Sequence, residues 1–220
     1  MRFDLVIFDW DGTLMNSVPK IVSCMQAATR DAQLPSPTDK AVENIIGLGL
    51  PEAVATLFPG INEAQSTRLR ECYAHHFVHA DTTPMTFFEG VEQHIHGLRE
   101  RSGLKMAVAT GKTRKGLARI FEQTRSGDWF HASRTADETR SKPHPQMLSE
   151  LLEELSLPAE RAVMVGDTEY DLAMARALGM PSVGVSYGVH SVERLTACKP
   201  EFIAHSVDSL FGWLNRELKT

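Results

Sequence analysis

Leu5-Val6-Ile7-Phe8-Asp9-Trp10-Asp11-Gly12-Thr13-Leu14 is a short apolar run that ends in two carboxylates one residue apart. Consecutive apolar residues closed by a turn read as a buried strand, and open α/β sheets carry their chemistry at the carboxyl ends of strands. Side chains two apart share one face of a strand, so Asp9 and Asp11 can converge on one site once the chain turns at Gly12. Two clustered carboxylates repel, which calls for a cation nearby or a proton on one of them. Asp-Gly is also ordinary turn chemistry, so the weight of this motif depends on what the other strand ends carry.

Downstream the pattern changes. From about Asn16 to Thr83 only helical periodicity is found. Ile21, Met25, Ala28 and Gln33-Leu34 mark one helix, and Ala41, Val42, Ile45 and Ile46 a second. A third runs near Ala53, Val54 and Leu57, and a fourth through Leu69, Cys72, Tyr73, His76 and Phe77. Pro35, Pro37, Pro51, Pro59 and Pro84 punctuate them. An all-helical block between two strand patterns reads as a separate cap.

From Gly90 onward strands and helices alternate. Val91 to Arg101 reads as a helix, Met106 to Ala109 as a strand, Arg114 to Thr124 as a helix and His131 to Thr135 as a weak strand. Then come a helix from Pro145 to Leu155, a strand from Ala162 to Val165, a helix from Asp171 to Leu178 and a strand from Ser182 to Ser186. A short strand at Glu201 to Ala204 precedes a C-terminal helix. This alternation predicts an α/β fold, a doubly wound, Rossmann-like parallel sheet with its ligand at the carboxyl ends of the strands. The expected domains are an α/β core of residues 1–15 and 85–220 and a helical cap of residues 16–84.

Three further strand ends carry polar residues. Thr110-Gly111 is followed by Lys112 and Thr113 at a helix start, where a hydroxyl and free backbone N–H groups suit a phosphate oxygen. Lys142 stands in Ser141-Lys142-Pro143-His144-Pro145, before a helix whose N-terminus adds positive potential; a buried lysine there can pair with Asp9. His144 has no evident partner and reads as a helix-start residue. Gly166-Asp167-Thr168-Glu169-Tyr170-Asp171 delivers one carboxylate to the sheet edge and a second one helical turn later. Hard oxygen ligands of this kind suit Mg²⁺; the same residues also suit helix capping, with Asp167 as N-cap and Asp171 in the first turn.

The chain of 220 residues is 42% apolar and 23% charged, ordinary for a globular protein of one sizeable domain or a core with a smaller insert. A formal charge of −5, without any Lys/Arg run, argues against nucleic acid as a partner. No apolar stretch is long enough to span a bilayer, and the first strand begins too early to leave room for a signal peptide. Cys24, Cys72 and Cys198 have no metal-type spacing and read as reduced thiols. A cytoplasmic protein is expected, without membrane partner, as a monomer or weak homodimer.

In order and in spacing, Asp9/Asp11, Thr110, Lys142 and Asp167/Asp171 resemble the four motifs of the haloacid dehalogenase-like hydrolases, a superfamily dominated by Mg²⁺-dependent phosphatases. The resemblance spans nearly the whole chain, and a helical insert directly after the first motif is similar to the subfamily with a small helical cap, which includes phosphoglycolate phosphatases and β-phosphoglucomutases. It implies that Asp9 is the nucleophile that becomes an aspartyl-phosphate and that Asp11 is the general acid and base. It further implies that Mg²⁺ is held by Asp9, the backbone carbonyl of Asp11, and Asp167, with Asp171 ligating through water or orienting that shell. Thr110, Gly111 and Lys142 would hold the phosphate of a small phosphorylated metabolite.

Related chemistries separate on the same residues. Haloacid dehalogenases and phosphonoacetaldehyde hydrolases lack the second acid, which Asp11 supplies; the latter also need a cap lysine, for which only Lys20 and Lys40 are available. Phosphomutases keep every motif and stay open as an alternative, as does a catalytically silent binding protein with the same fold. Between the second and third cap helices, Ile46-Gly47-Leu48-Gly49-Leu50-Pro51 matches a specificity loop that faces the catalytic centre in relatives. The loop from Gly47 to Pro51, with Gly47, Leu48 and Gly49 as its specificity residues, is expected to face Asp11 in the closed form and shape the leaving-group pocket. The loop has no Arg or Lys to clamp a carboxylate or second phosphate, so only a weak charge-based preference for phosphoglycolate is expected.

Overall fold

The computed structural model describes residues 2–218. The chain runs β1 (Leu5–Phe8), β2 (Met15–Asn16), α1 (Val18–Asp31), α2 (Asp39–Ile45), α3 (Leu50–Leu57), α4 (Glu63–His75), a π-helical turn (His76–Ala80) and β3 (Thr86–Phe87). It continues through α5 (Val91–Arg99), β4 (Lys105–Thr110), α6 (Arg114–Thr124), β5 (Ala132–Thr135), α7 (Gln146–Leu155), β6 (Ala162–Gly166) and α8 (Glu169–Ala177). It closes with β7 (Ser182–Val185), α9 (Val192–Ala197), β8 (Phe202–Ala204) and α10 (Val207–Glu217).

The six long-range strands form one parallel sheet in the order β5-β4-β1-β6-β7-β8, the doubly wound α/β arrangement that the alternating pattern implies. β1 is central and buried on both faces, which is why it reads as an unbroken apolar run. Its Val6 and Phe8 join the core under α5, α6 and α10, with Ile95, Leu117 and Phe211. Leu5 and Ile7 point the other way, toward Met147 and Leu151 of α7 and Met174 of α8. Each of these fully buried side chains contributes about 1.5–3 kcal/mol relative to exposure. From β1 the chain winds outward through β4 and β5 on one side, then through β6, β7 and β8 on the other. The switch in direction lies between β1 and β6, where such sheets open a crevice for ligands.

α1 to α4 pack around a core of their own, including Met25, Val42, Val54 and Leu69. The two strands that lead into and out of this helical unit pair with each other: Met15 lies opposite Phe87 and Asn16 opposite Thr86, antiparallel. That ribbon flanks the region where only helical periodicity was expected and was not anticipated, because two residues per strand leave no readable alternation. α1 ends at Asp31, before Gln33-Leu34, where Gln33 takes a left-handed backbone (φ 57°). Pro51 does not break a helix but sits in the first turn of α3, where its missing N–H costs nothing. α9 was not anticipated, being six residues long behind its Ser191 cap.

Candidate active site

Three strand ends, those of β1, β4 and β6, meet at the switch point; Lys142, expected at a fourth, comes instead from the loop between β5 and α7, seven residues past the strand. In the register of the sheet Phe8 lies beside both Val108 and Val165, so the residues after β1, β4 and β6 emerge side by side. The Asp9 N–H donates to Val165 O at 2.9 Å, fixing the first carboxylate against the end of β6. Gly12 then turns with φ +84°, and a side chain there would collide with the Asp167 carboxylate. The two acidic segments are therefore packed against each other through a glycine.

Lys142 is fully buried and bridges two carboxylates: its Nζ lies 2.6 Å from Asp9 Oδ1 and 2.6 Å from Asp171 Oδ1. Burial opposes the Lys142 charge, but the Asp171 and Asp9 carboxylates outweigh it and raise its pKa. Asp171 is held on its other oxygen by Thr168, whose Oγ1 donates at 2.6 Å and whose N–H donates at 3.2 Å. Thr168, rather than Asp167, is the N-cap of α8, and Asp171 completes a capping box as the third residue of the helix. Both Asp171 oxygens are thus engaged within the protein, one of them in orienting Lys142.

Asp167 accepts from Thr13 Oγ1 at 2.9 Å on one oxygen and from the Val189 N–H at 2.9 Å on the other. Burial first, and the Asp171 charge second, push its pKa up to about 7. Burial also raises Asp9 well above the usual carboxylate range, with Lys142 opposing and Asp171 and Asp167 adding to the rise. Asp9 Oδ2 is buried without a hydrogen-bond partner. Asp9, Asp167 and Asp171 each offer an oxygen within 4.8 Å of the others. With all three carboxylates ionised, the Lys142 ammonium offsets one charge and leaves two, the charge of one divalent cation. An all-oxygen donor set with an unpartnered Asp9 oxygen fits Mg²⁺.

Asp11 turns away from this cluster. Its Oδ1 accepts from Ser17 Oγ at 2.5 Å and lies 2.9 Å from Lys112 Nζ. Its side chain is absent from the carboxylate group that could hold an ion. Lys112 packs over the Phe77 ring of the helical unit, 5.1 Å from the centroid, and Phe77 in turn packs with Tyr73. Burial, and next the Asp11 charge, hold the Tyr73 phenol well above its ordinary pKa.

Thr110 is buried at the end of β4, where its Oγ1 accepts from the Lys112 N–H at 3.2 Å and keeps its own proton free to donate. Gly111 follows, and a side chain there would come within 2.6 Å of Leu48 O and 2.7 Å of Gly47 O. The loop Gly47-Leu48-Gly49 accordingly lies on Gly111, Thr168 and Ser141, whose Oγ accepts from the Gly49 N–H at 2.8 Å. The partners of Asp11 come instead from Ser17 and Lys112, with Tyr73 close enough to feel its charge. Docking of the helical unit, set by distant contacts, decides what the loop meets. His144 Nδ1 accepts the Gln146 N–H at 3.2 Å, as a helix-start residue does. Cys24, Cys72 and Cys198 are free thiols.

Thr13, Ser17, Lys112 and Thr168 join the site without having been singled out. Thr13 and Thr168 were legible in principle, each lying inside a quoted motif. Ser17 and Lys112 reach Asp11 through side-chain placement that no spacing encodes.

A family model described as "haloacid dehalogenase-like hydrolase" matches residues 6–185. The "probable phosphatase IndB" of Dickeya dadantii is 32% identical over 219 residues, covering 98% of this chain and 95% of that protein. The phosphoglycolate phosphatase of Vibrio vulnificus is 27% identical over 214 residues, covering 94% and 93%. Among solved structures, a "predicted phosphoglycolate phosphatase" from Haemophilus somnus superimposes with a TM-score of 0.87 at 22% identity, covering 100% and 99%. A hydrolase from Pseudomonas syringae does so with 0.85 at 21% identity, covering 97% and 98%. At those identities the structures speak for the fold alone. No described helix is long and apolar enough to cross a membrane.

Proposed function

Because the chain belongs to the haloacid dehalogenase-like hydrolases and is a phosphatase, we propose that it hydrolyses a small phosphate monoester of the phosphoglycolate type, with Mg²⁺, through an aspartyl-phosphate on Asp9. The observation that carries this reading is the Asp9 carboxylate: one oxygen is held by Lys142, and the other is buried with no partner in a site short of positive charge.

Thr110, the Gly111 N–H and Lys142 grip the phosphate and place phosphorus against Asp9. An Asp9 oxygen bonds to phosphorus as the ester oxygen leaves, and Asp11 hands that oxygen a proton. Asp11 then takes a proton from water, which attacks phosphorus and frees Asp9. Ser17 and Lys112 hold one Asp11 oxygen and leave the other for these transfers. Mg²⁺, held by Asp9, the Asp11 carbonyl and Asp167, would offset the negative charge of the phosphoryl group. Asp171 supports the reaction by aiming Lys142.

The substrate preference follows from the leaving-group side. There Lys112 supplies a cation beside Asp11 that the loop Gly47-Leu48-Gly49 does not, and Tyr73 and Phe77 add aromatic walls. This favours a compact leaving group that carries a carboxylate, a stronger charge preference than the loop alone implies. The test is turnover of phosphoglycolate with Mg²⁺ by wild type and Asp9→Asn, with acid-quench trapping of labelled phosphate on the protein. Wild type is expected to turn over, stop in chelator and carry trapped phosphate. Asp9→Asn is expected to lose nearly all activity, because an amide forms no acyl-phosphate. Asp9→Asn activity within threefold of wild type overturns the mechanism.

A further inference from the structure

Asn44, at the carboxyl end of the seven-residue α2, is met by core residues from separate places in the sequence. Tyr170 of α8 donates its hydroxyl to Asn44 O at 2.9 Å. Arg194 of α9 donates Nη1 to Asn44 Oδ1 at 2.7 Å. His190, in the loop before α9, places Nε2 3.4 Å from the same Asn44 carbonyl. The Glu169 N–H donates to His190 Nδ1 at 3.0 Å, so that nitrogen is the acceptor and Nε2 carries the proton. Arg194 is itself forked onto Glu169, with Nη2 and Nε 2.6 Å and 3.2 Å from the two carboxylate oxygens. Its guanidinium is therefore aimed before the helical unit arrives.

We propose that Asn44, Tyr170 and Arg194 are positioning residues that latch the helical unit shut over the catalytic carboxylates. The last carbonyls of a helix have no partner within it, and the Asn44 carbonyl finds its donors on the other unit. The latch bonds are half-buried and exchange with water bonds when the unit opens, so the latch holds without becoming permanent. Tyr170 lies between Asp167 and Asp171, so the latch reports to the same turn that carries two of the carboxylates. Gly47, three residues past Asn44, packs on Thr168, which ties the loop above the phosphate grip to the same closure.

The inference rests on the reading of residues 16–84 as the cap of a phosphatase. Its test therefore pairs kinetics with a measurement that needs no turnover. Asn44→Ala, Arg194→Met, Arg194→Lys, Tyr170→Phe and the Asn44→Ala/Arg194→Met double variant are compared with wild type in Mg²⁺. The readouts are KM and kcat for phosphoglycolate and amide hydrogen exchange across residues 39–51. If closure is the binding-competent state, Asn44→Ala and Arg194→Met each raise KM about fivefold, while kcat falls less than KM rises. Exchange across 39–51 speeds up in both. The double variant is no worse than either single, because both remove one contact. Arg194→Lys recovers part of the loss. Unchanged exchange, additive effects in the double variant, or a collapse of kcat at constant KM each overturns the latch. Wild type that hydrolyses no phosphate ester overturns the phosphatase reading instead, and the exchange data still decide the latch.

Discussion

The Lys112 ammonium lies 2.9 Å from Asp11 Oδ1, and the Phe77 ring covers it from the helical unit. In the proposed mechanism a cation so placed does two things: it steadies the Asp11 carboxylate and it offers charge to whatever leaves from phosphorus. Lys112→Met keeps the length of the side chain and its packing on Phe77 but removes the charge. It is expected to lower kcat/KM for phosphoglycolate at least about tenfold more than for phenyl phosphate, whose leaving group has no carboxylate. Steady-state kinetics on the two esters checks this; an equal fall for both would assign Lys112 to Asp11 alone.

Asp167 illustrates a conflict between folding and metal binding. Its charge is disfavoured by burial and by Asp171, while its hydrogen bonds are complete. In Asp167→Asn the amide oxygen can still accept from Val189 N–H, and the amide nitrogen can donate to the Thr13 hydroxyl, which accepts as readily as it donates. With the ion removed by chelator, Asp167→Asn is expected to melt at a higher temperature than wild type, because like charges no longer crowd the site. Added Mg²⁺ at about 100 times its Kd should stabilise wild type by about 2.7 kcal/mol and the variant by much less. Thermal melts at pH 8 with chelator or Mg²⁺ check both signs.

Much of this site is legible because the chemistry sits where the sheet must put it. Asp9, Thr110 and Asp167 follow apolar runs, and parallel strands with a common carboxyl edge bring such residues together whatever the details of packing. Lys142 is anchored less directly, by a loop, yet its burial between Asp9 and Asp171 follows once those acids are placed. What stayed hidden depends on docking between distant segments. The Lys112–Asp11 pair, the Thr13 and Val189 clamp on Asp167 and the convergence on Asn44 all join residues whose separation in sequence carries no periodic signal. Short elements escaped for a different reason: β2, β3 and α9 are held by tertiary contacts rather than by local propensity.

Asp81, just past the π-helical turn, anchors the exit of the helical unit. Its side chain takes hydrogen bonds from Ser23 at 2.6 Å and from the Thr83 N–H at 2.8 Å, and an ion pair from Lys20 at 3.4 Å. Burial pushes its carboxyl up, but Ser23, Thr83 and Lys20 outweigh it and bring the pKa down from 3.8 to about 2. A carboxyl with a depressed folded pKa stabilises the fold above its unfolded value, and that stabilisation fades as pH falls through the folded one. Asp81→Asn is therefore expected to cost about 2 kcal/mol at pH 7, with the gap to wild type narrowing as pH drops from about 4 toward 2. Urea denaturation of both proteins across that range checks it; a gap that stays constant would mean that shape, not charge, makes the contribution.

Gly111 offers a way to separate closure from stability. A Cβ on it would stand 2.6 Å from Leu48 O and 2.7 Å from Gly47 O, both backbone atoms of the loop that lies on it. Backbone of a docked loop cannot give way as a side-chain tip can, so Gly111→Ala must hold the helical unit away from the core. In the open form the new methyl meets no such obstacle, and Gly→Ala at a compatible position stabilises by about 0.4–1 kcal/mol through the unfolded chain. The expected result is a melting temperature equal to or slightly above wild type, together with a fall in kcat/KM of about tenfold or more as water enters the site and the loop no longer shapes it. Hydrogen exchange across residues 39–51 should quicken in Gly111→Ala even though the latch residues are intact. Wild-type kinetics in a protein shown to carry the substitution would mean that the loop moves freely over Gly111 and that closure is set elsewhere.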